Sequence, residues 1–251
     1  MIEVIDVSLT YYQENTTTRA LDHVSLHIGR GESWVFIGPS GCGKSSLLFL
    51  VAGLRQSTSG EVLIDGAALR SPRPRTALIL QDYGLFPWKT VWENAALGLK
   101  IRGMSARKQT AAISPILENL GLTEHKDHYP AQLSGGLRQR VAVARALALQ
   151  PDLLLMDEPF SSLDALTREN LQETIVDIRS QNLMTLVTVT HSIEEAVFLG
   201  QKIAVFSPRP ARVVATVDNP LAGDRSYRDQ PEFYRQCAGV RHLLEGVQAS
   251  C

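Results

Sequence analysis

The stretch Gly38-Pro39-Ser40-Gly41-Cys42-Gly43-Lys44-Ser45 fits the pattern G-x-x-x-x-G-K-[ST] at every fixed position. That order suits capture of a polyphosphate. Glycines let backbone N–H groups turn inward around phosphate oxygens, and the helix that follows offers its positive N-terminal end. Lys44 would then reach the β- and γ-phosphates, and the Ser45 hydroxyl would hold Mg²⁺. A plain glycine-rich turn would share the composition, but here a strand, this loop and a helix follow one another in the required order. Cys42, inside the loop, reads as a small tolerated residue rather than a redox centre.

A second acidic signal lies far along the chain. Met156-Asp157-Glu158 closes the apolar run Leu153 to Met156. Carboxylates at the carboxyl end of a buried parallel strand stand where such sheets bind ligands. Asp157 fits the acid that holds Mg²⁺, and Glu158 is placed to polarise a water for attack on a γ-phosphate. Alone, the pair would read equally well as solubilising acids at a strand end. Beside a phosphate loop it reads as a nucleoside triphosphatase.

The elements that must position these residues are legible as well. Ser33 to Ile37 is a short apolar strand feeding the loop, and a helical pattern runs from Lys44 to about Ala52. Ile2, Val4, Val7, Leu9, Tyr11, Val24, Leu26 and Ile28 give the alternation of antiparallel strands, broken by a polar turn at Gln13 to Thr18. Glu61 to Ile64 and Thr76 to Leu80 read as further strands. Asn94 to Ile101, Ala106 to Leu120 and Leu137 to Leu149 carry helical spacing. Strand Leu153 to Met156, helix Thr167 to Ser180 and strand Thr185 to Thr190 restore β/α alternation, which implies a parallel sheet with right-handed crossovers. The expectation is one α/β domain over 1–251, with a nucleotide-binding core at 1–82 and 151–218. A helical subdomain at 83–150 is inserted, an antiparallel β subdomain opens the chain, and 219–251 form a helical tail.

Composition narrows the classes further. At 44% hydrophobic and 20% charged, the 251 residues can bury a sizeable core, which excludes disorder over most of the chain. Twenty-five basic against twenty-six acidic residues leave a net charge of −1, no footprint for nucleic acid. Three cysteines cannot build a disulfide framework, so a reducing compartment is expected. No run reaches the roughly 20 apolar residues of a membrane span. The opening Met1-Ile2-Glu3-Val4-Ile5-Asp6 lacks a signal peptide's basic and apolar regions.

Leu133-Ser134-Gly135-Gly136-Leu137-Arg138-Gln139-Arg140 precedes an amphipathic helix, with Ser134 as a good N-cap. By itself this is an ordinary capped helix. With the phosphate loop and the acidic pair, it resembles the signature motif of ATP-binding-cassette (ABC) ATPases. The rest of that pattern follows in order: Gln81 at the Q-loop, Ser161-Ser162-Leu163-Asp164 at the D-loop, His191 at the switch histidine and Tyr11 at the adenine-stacking aromatic, preferred over Tyr12. The resemblance implies ATP and Mg²⁺ as ligands. Glu158, His191 and Gln81 would be catalytic, with Ser45, Gln81 and Asp157 on the metal. Tyr11, Gly38, Pro39, Ser40, Gly41, Cys42, Gly43, Lys44, Ser45, Ser46, Ser134, Gly135, Gly136 and Asp164 would contact nucleotide. His191 also fits a capping role, because Ser192-Ile193-Glu194-Glu195 is a capping box. Gln81 also fits a plain loop amide. The usual signature glutamine is Leu137 here, a departure that removes one side-chain hydrogen bond.

The resemblance further implies a head-to-tail dimer, with itself or with a similar cassette, sandwiching ATP between one Lys44 loop and the other Ser134–Gly136 segment. Tyr83, Phe86, Trp88 and Trp92 put four of sixteen aromatics into ten residues. Such clusters fill cores or mark interface centres. In the family this region docks a membrane permease, so Phe86, Pro87 and Trp88 are the expected contacts. Leu80 to Trp88, Asp157 to Asp164 and Ser207-Pro208-Arg209-Pro210-Ala211-Arg212 look like nitrate/sulfonate/taurine importer ATPases. Those importers receive solute from a periplasmic or extracellular binding protein and work at the cytoplasmic face of the membrane. Arg209 and Arg212 could hold an anion, but a solvated loop is the simpler expectation. The stripe Phe233, Cys237, Val240, Leu244 and Val247 reads as a terminal helix packed on its own core. Rival classes fit less well. A chromosome-structuring ATPase needs a long heptad insertion, yet Lys44 and Ser134 are only 90 residues apart with no heptad run.

Overall fold

The computed structural model describes residues 1–13 and 16–249. Its N-terminal strands β1 (Ile2–Gln13) and β2 (Thr16–Ile28) pair antiparallel, with Ile2 opposite Ile28 and Leu9 opposite Leu21. Pairing continues to Gln13 opposite Thr16, so strand replaces most of the expected polar turn; residues 14 and 15 lie outside the described ones. With β4 (Ser59–Ile64) and β5 (Ala67–Ala68) these form a four-stranded sheet in the order β2-β1-β4-β5.

The second sheet has six strands in the order β10-β9-β3-β8-β7-β6. β3 (Ser33–Ile37), β6 (Thr76–Ile79), β7 (Leu153–Asp157), β8 (Thr185–Thr190) and β9 (Lys202–Phe206) run parallel. The edge strand β10 (Val213–Asp218) is antiparallel to β9. β3, β7 and β8 are buried at every position, as strands covered on both faces must be. The order brings the carboxyl ends of β3, β8 and β7 side by side, so the loops that follow them share one edge.

Alternate side chains of these strands enter two different cores. Trp34, Phe36, Leu153, Leu155, Val187 and Val189 pack with the antiparallel sheet and with α1 (Lys44–Val51). Val35, Ile37, Leu154, Met156 and Leu186 face the remaining helices. Those are α2 (Val91–Ile101), α3 (Ala106–Asn119), α4 (Gly135–Leu147), α5 (Ala165–Asn182), α6 (Ile193–Leu199) and α7 (Pro231–Ala249). The tail stripe joins the second core through Phe233, Cys237, Val240 and Val247, with Leu244 half-buried against it. Burial pushes the Cys237 thiol up to about 11, which keeps it protonated and inert.

Local chemistry sets the helix starts. α2 begins a turn earlier than its apolar spacing suggests, because Thr90 and Glu93 form a reciprocal capping box. Ser134 caps α4 by accepting from the Leu137 amide at 3.3 Å, and Asp164 caps α5 through the Thr167 amide at 3.0 Å. Only half of the expected box at Ser192 forms. Ser192 accepts from the Glu195 amide, but the Glu195 carboxyl turns inward to accept from the Thr190 hydroxyl at 2.5 Å.

Candidate active site

The phosphate loop leaves β3 and enters α1 through Gly43, whose φ of 135° lies in the glycine region. A Cβ there would stand 2.5 Å from the Ala20 carbonyl of β2, so this position admits no side chain. Lys44, 4% exposed, donates from Nζ to the carbonyls of Gly38 and Pro39, both at 2.8 Å. The ammonium is thereby held inside the cradle formed by the loop. Cys42 is buried, with its thiol 3.6 Å from Lys44 Nζ.

A cleft of about 430 Å³ opens beside this loop. Its walls are Gly41, Cys42, Gly43, Lys44, Ser45 and Ser46 from the loop and α1, Tyr11, Thr18 and Ala20 from the first hairpin, and Glu158 and Arg209. Tyr11 is fixed from two sides, by a hydroxyl contact with Ser46 Oγ at 2.9 Å and by the Arg55 guanidinium 4.6 Å from its ring centroid. Tyr12 is 73% exposed and lies outside the cleft.

Ser45 Oγ donates to Asp157 Oδ1 at 2.8 Å, joining the loop to the end of β7. Burial pushes the Asp157 carboxyl above the usual aspartate range, and the neighbouring Glu158 adds to the rise. A carboxylate beside a hydroxyl, both hard oxygen donors, fits Mg²⁺, and a dication would restore the ionised form that burial opposes.

Three side chains from three separate elements meet next to these groups. Gln81, following β6, donates from Nε2 to Glu158 Oε2 at 3.3 Å. His191, following β8, places Nδ1 3.4 Å from the same oxygen. Glu158 itself has a φ of 46°, and its amide donates to the Val189 carbonyl at 2.9 Å. A non-glycine residue in this region is strained and needs support from its surroundings. From this backbone turn the carboxylate meets Gln81 and His191.

The signature residues are placed elsewhere. Ser134, Gly135 and Gly136 do not line the cleft; the two glycines lie against the D-loop and the start of α5. A Cβ on Gly136 would stand 2.6 Å from Thr167 Cγ2. Asp164 is committed to its capping bond, whose backbone donor holds its carboxyl below the usual range. The aromatic cluster divides: Tyr83 is buried and Trp92 packs on the helical core, whereas Phe86 is half-buried and Trp88 is 68% exposed. Phe86 and Trp88 meet edge to face with centroids 5.4 Å apart.

Several site residues escape the motif reading. Thr18 and Ala20 reach the cleft on β2, and Arg209 reaches it from the exposed loop between β9 and β10. Glu195 is buried behind His191, with Arg168 Nε 3.7 Å from its carboxyl. Burial raises the Glu195 carboxyl above the usual range.

A phosphate loop on the edge of a parallel sheet, with an acidic strand end beside it, defines a P-loop ATPase. The family model described as "ABC transporter" matches residues 21–161, more than half of the chain. The taurine import ATP-binding protein TauB of Rhizobium johnstonii is 44% identical over 239 residues, covering 92% of this chain and 91% of the relative. The nitrate import ATP-binding protein NrtD of Synechocystis sp. is 38% identical over 253 residues, covering 98% and 95%. A solved dimer of the ATP-binding cassette MJ0796, bound to ADP and Pi, superimposes with a TM-score of 0.79 at 32% identity. That match covers 87% of this chain and 98% of the cassette. This chain belongs to the ABC transporter family, as an ATP-binding subunit that hydrolyses ATP.

Proposed function

We propose that this ATPase powers import of a small solute, with nitrate, taurine or an alkanesulfonate as the leading cargo. The observation that carries the reading is the meeting of Gln81 and His191 at Glu158, within 3.4 Å of its carboxylate, with Glu158 itself on the wall of the Lys44 cleft. Adenine stacks on Tyr11, and the phosphates lie along the backbone of Gly38 to Ser46, whose N–H groups other than at Pro39 can donate, with Lys44 as counter-charge. Ser45 and Asp157 with Gln81 would hold Mg²⁺, which would supply charge neutralisation on the phosphates. Glu158 accepts a proton from the attacking water, Gln81 orients that water, and His191 donates toward the γ-phosphate.

Ser134, Gly135 and Gly136 serve the nucleotide of a second copy, or of a similar cassette, in a head-to-tail dimer, with Asp164 beside them. Their distance from this chain's own cleft supports that assignment. Phe86, Pro87 and Trp88 receive the permease, and the insert at 83–150 moves as its lever. No helix among the described residues is long and apolar enough to cross a membrane, which fits a peripheral subunit held at the cytoplasmic face by its permease. A solute-binding protein acts on the far side of the membrane. A pyrimidine-like cargo is the second reading, since cargo choice rests with other subunits.

Uptake of labelled nitrate, taurine and an alkanesulfonate is compared in cells carrying the wild type or Glu158→Gln. Selective loss of one cargo in the variant is expected. Unchanged uptake of all three would remove the nitrate/sulfonate/taurine reading.

A further inference from the structure

The cleft wall holds two cations, and the phosphate motif contains only one of them. Arg209 lies 165 residues beyond Lys44, in the loop between β9 and β10, yet it lines the same cleft. Its Nε and Nη2 both donate to the Gly41 carbonyl, at 3.1 and 2.5 Å. An edge of the guanidinium therefore points at the Gly41 carbonyl, with Nη2 3.6 Å from where a Cβ on Gly41 would be. Among the described residues, no carboxylate pairs with it.

The loop that presents Arg209 is anchored independently of it. The Ala211 amide donates to the Ala20 carbonyl at 2.9 Å, and the Asp22 amide donates to the Ala211 carbonyl at 3.0 Å. Leu21 and Ala211 form a parallel bridge between the two segments. Ser207 Oγ accepts from the Arg212 amide at 2.9 Å. Arg212 pairs with the buried Asp22, which holds that carboxyl below the usual range. Two backbone hydrogen bonds and the Arg212–Asp22 pair thus tie residues 211 and 212 to β2, and the Ser207–Arg212 bond closes the loop on itself, beside Thr18 and Ala20 on the cleft wall.

The two arginines of this loop consequently do different work. Arg212, itself exposed, is paired with the buried Asp22, which Arg19 also contacts. Arg209 faces the cleft with its charge uncompensated, at the entrance used by a ligand that carries three to four negative charges. We infer that Arg209 is a binding residue for the triphosphate of ATP, a second cation set against the phosphate loop from outside its motif. The Gly41 carbonyl fixes the guanidinium plane, so little side-chain freedom is lost when an anion arrives. The inference rests on the ATP reading of the cleft, and deepens it.

The test is equilibrium binding of a fluorescent ATP analogue to the full chain without turnover, in Mg²⁺-free and Mg²⁺ buffers. The wild type, Arg209→Ala, Arg209→Lys and Lys44→Ala are compared. A partly exposed charged hydrogen bond gives an expected loss of about tenfold in affinity for Arg209→Ala. Arg209→Lys should recover part of it, and raising the salt should shrink the gap between wild type and Arg209→Ala. The melting temperature without nucleotide should stay unchanged, because the loop keeps its other anchors. Affinity of Arg209→Ala within twofold of wild type would overturn the inference. So would an affinity loss matched by an equal fall in nucleotide-free stability, with no recovery in Arg209→Lys. Binding by wild type but not by Lys44→Ala establishes the nucleotide reading on its own. Failure of the wild type to bind would refute that reading, and the inference with it.

Discussion

Replacing Glu158 by glutamine separates the chemical step from every other job of this residue. The amide has the same length and shape, and its carbonyl oxygen can still accept from Gln81 Nε2, which now stands 3.3 Å from Oε2. The φ of 46° and the amide bond to Val189 belong to the backbone and survive. What disappears is the basic carboxylate and its approach to His191 at 3.4 Å. Loss of a positioned general base costs about 10²–10⁴ in rate, equivalent to about 3–5 kcal/mol of barrier. Binding should move the other way or not at all. Glu158 is the only acid among the described residues that line the cleft, so its removal takes a negative charge from a site that receives an anion. The assay pairs phosphate release with fluorescent-nucleotide affinity, and adds size-exclusion chromatography in ATP, where a persistent dimer is expected. Turnover within about fivefold of wild type would refute Glu158 as the base. A loss of nucleotide affinity parallel to the loss of rate would show that the residue acts in binding instead.

Two further substitutions test the surroundings. Asp157→Asn should raise the melting temperature by a few degrees at pH 7 while weakening Mg²⁺-dependent nucleotide binding. Because the folded pKa of Asp157 is raised, its ionised form costs stability at neutral pH, and this cost disappears as pH falls. The gap between variant and wild type should therefore close as pH falls through the folded value toward about 4; a variant less stable than wild type at pH 7 would refute the account. Asn94 is fully buried; its Oδ1 accepts from the Phe86 amide, and its Nδ2 donates to the carbonyls of Phe86, Lys89 and Thr90. Asn94→Ala leaves those loop groups without their partner and should cost about 2–3 kcal/mol, read by calorimetry as about 5–10 °C, and an unchanged melting curve would refute it.

Whatever is contiguous in the chain was legible before the fold was known. The phosphate loop, the acidic end of β7 and the cap of α4 are each set by local chemistry within a few residues, so their spacing carries their structure. Gln81 and His191 were legible only because a family pattern supplied their order. Their meeting at Glu158 depends on the strand order β3-β8-β7-β6, which no local spacing encodes. Arg209 marks the limit of this kind of reading. Its place in the cleft follows from the bridge between Leu21 and Ala211, a pairing of segments 190 residues apart. Glu195 shows the opposite failure, where a good local pattern lost to a tertiary one. Its carboxyl could have closed the capping box on Ser192, but burial beside Thr190 and Arg168 offered a stronger partner.

The anchoring of α4 gives Ser134 a long reach for a small movement. The helix spans 13 residues; Gly136 and Gln139 are buried near its start, and Val141 to Ala144 and Ala146 grip the core over its second half. Its length is about 20 Å, so a tilt of about 10° around that grip carries the signature serine through an arc of about 3 Å. An arc of that size matches one hydrogen bond. In the proposed dimer, a stroke of that size would decide whether Ser134 reaches the second copy's nucleotide, and the fulcrum itself need not repack. Gly136 lies against Thr167 near the start of α5, so the same tilt would bear on that helix as well.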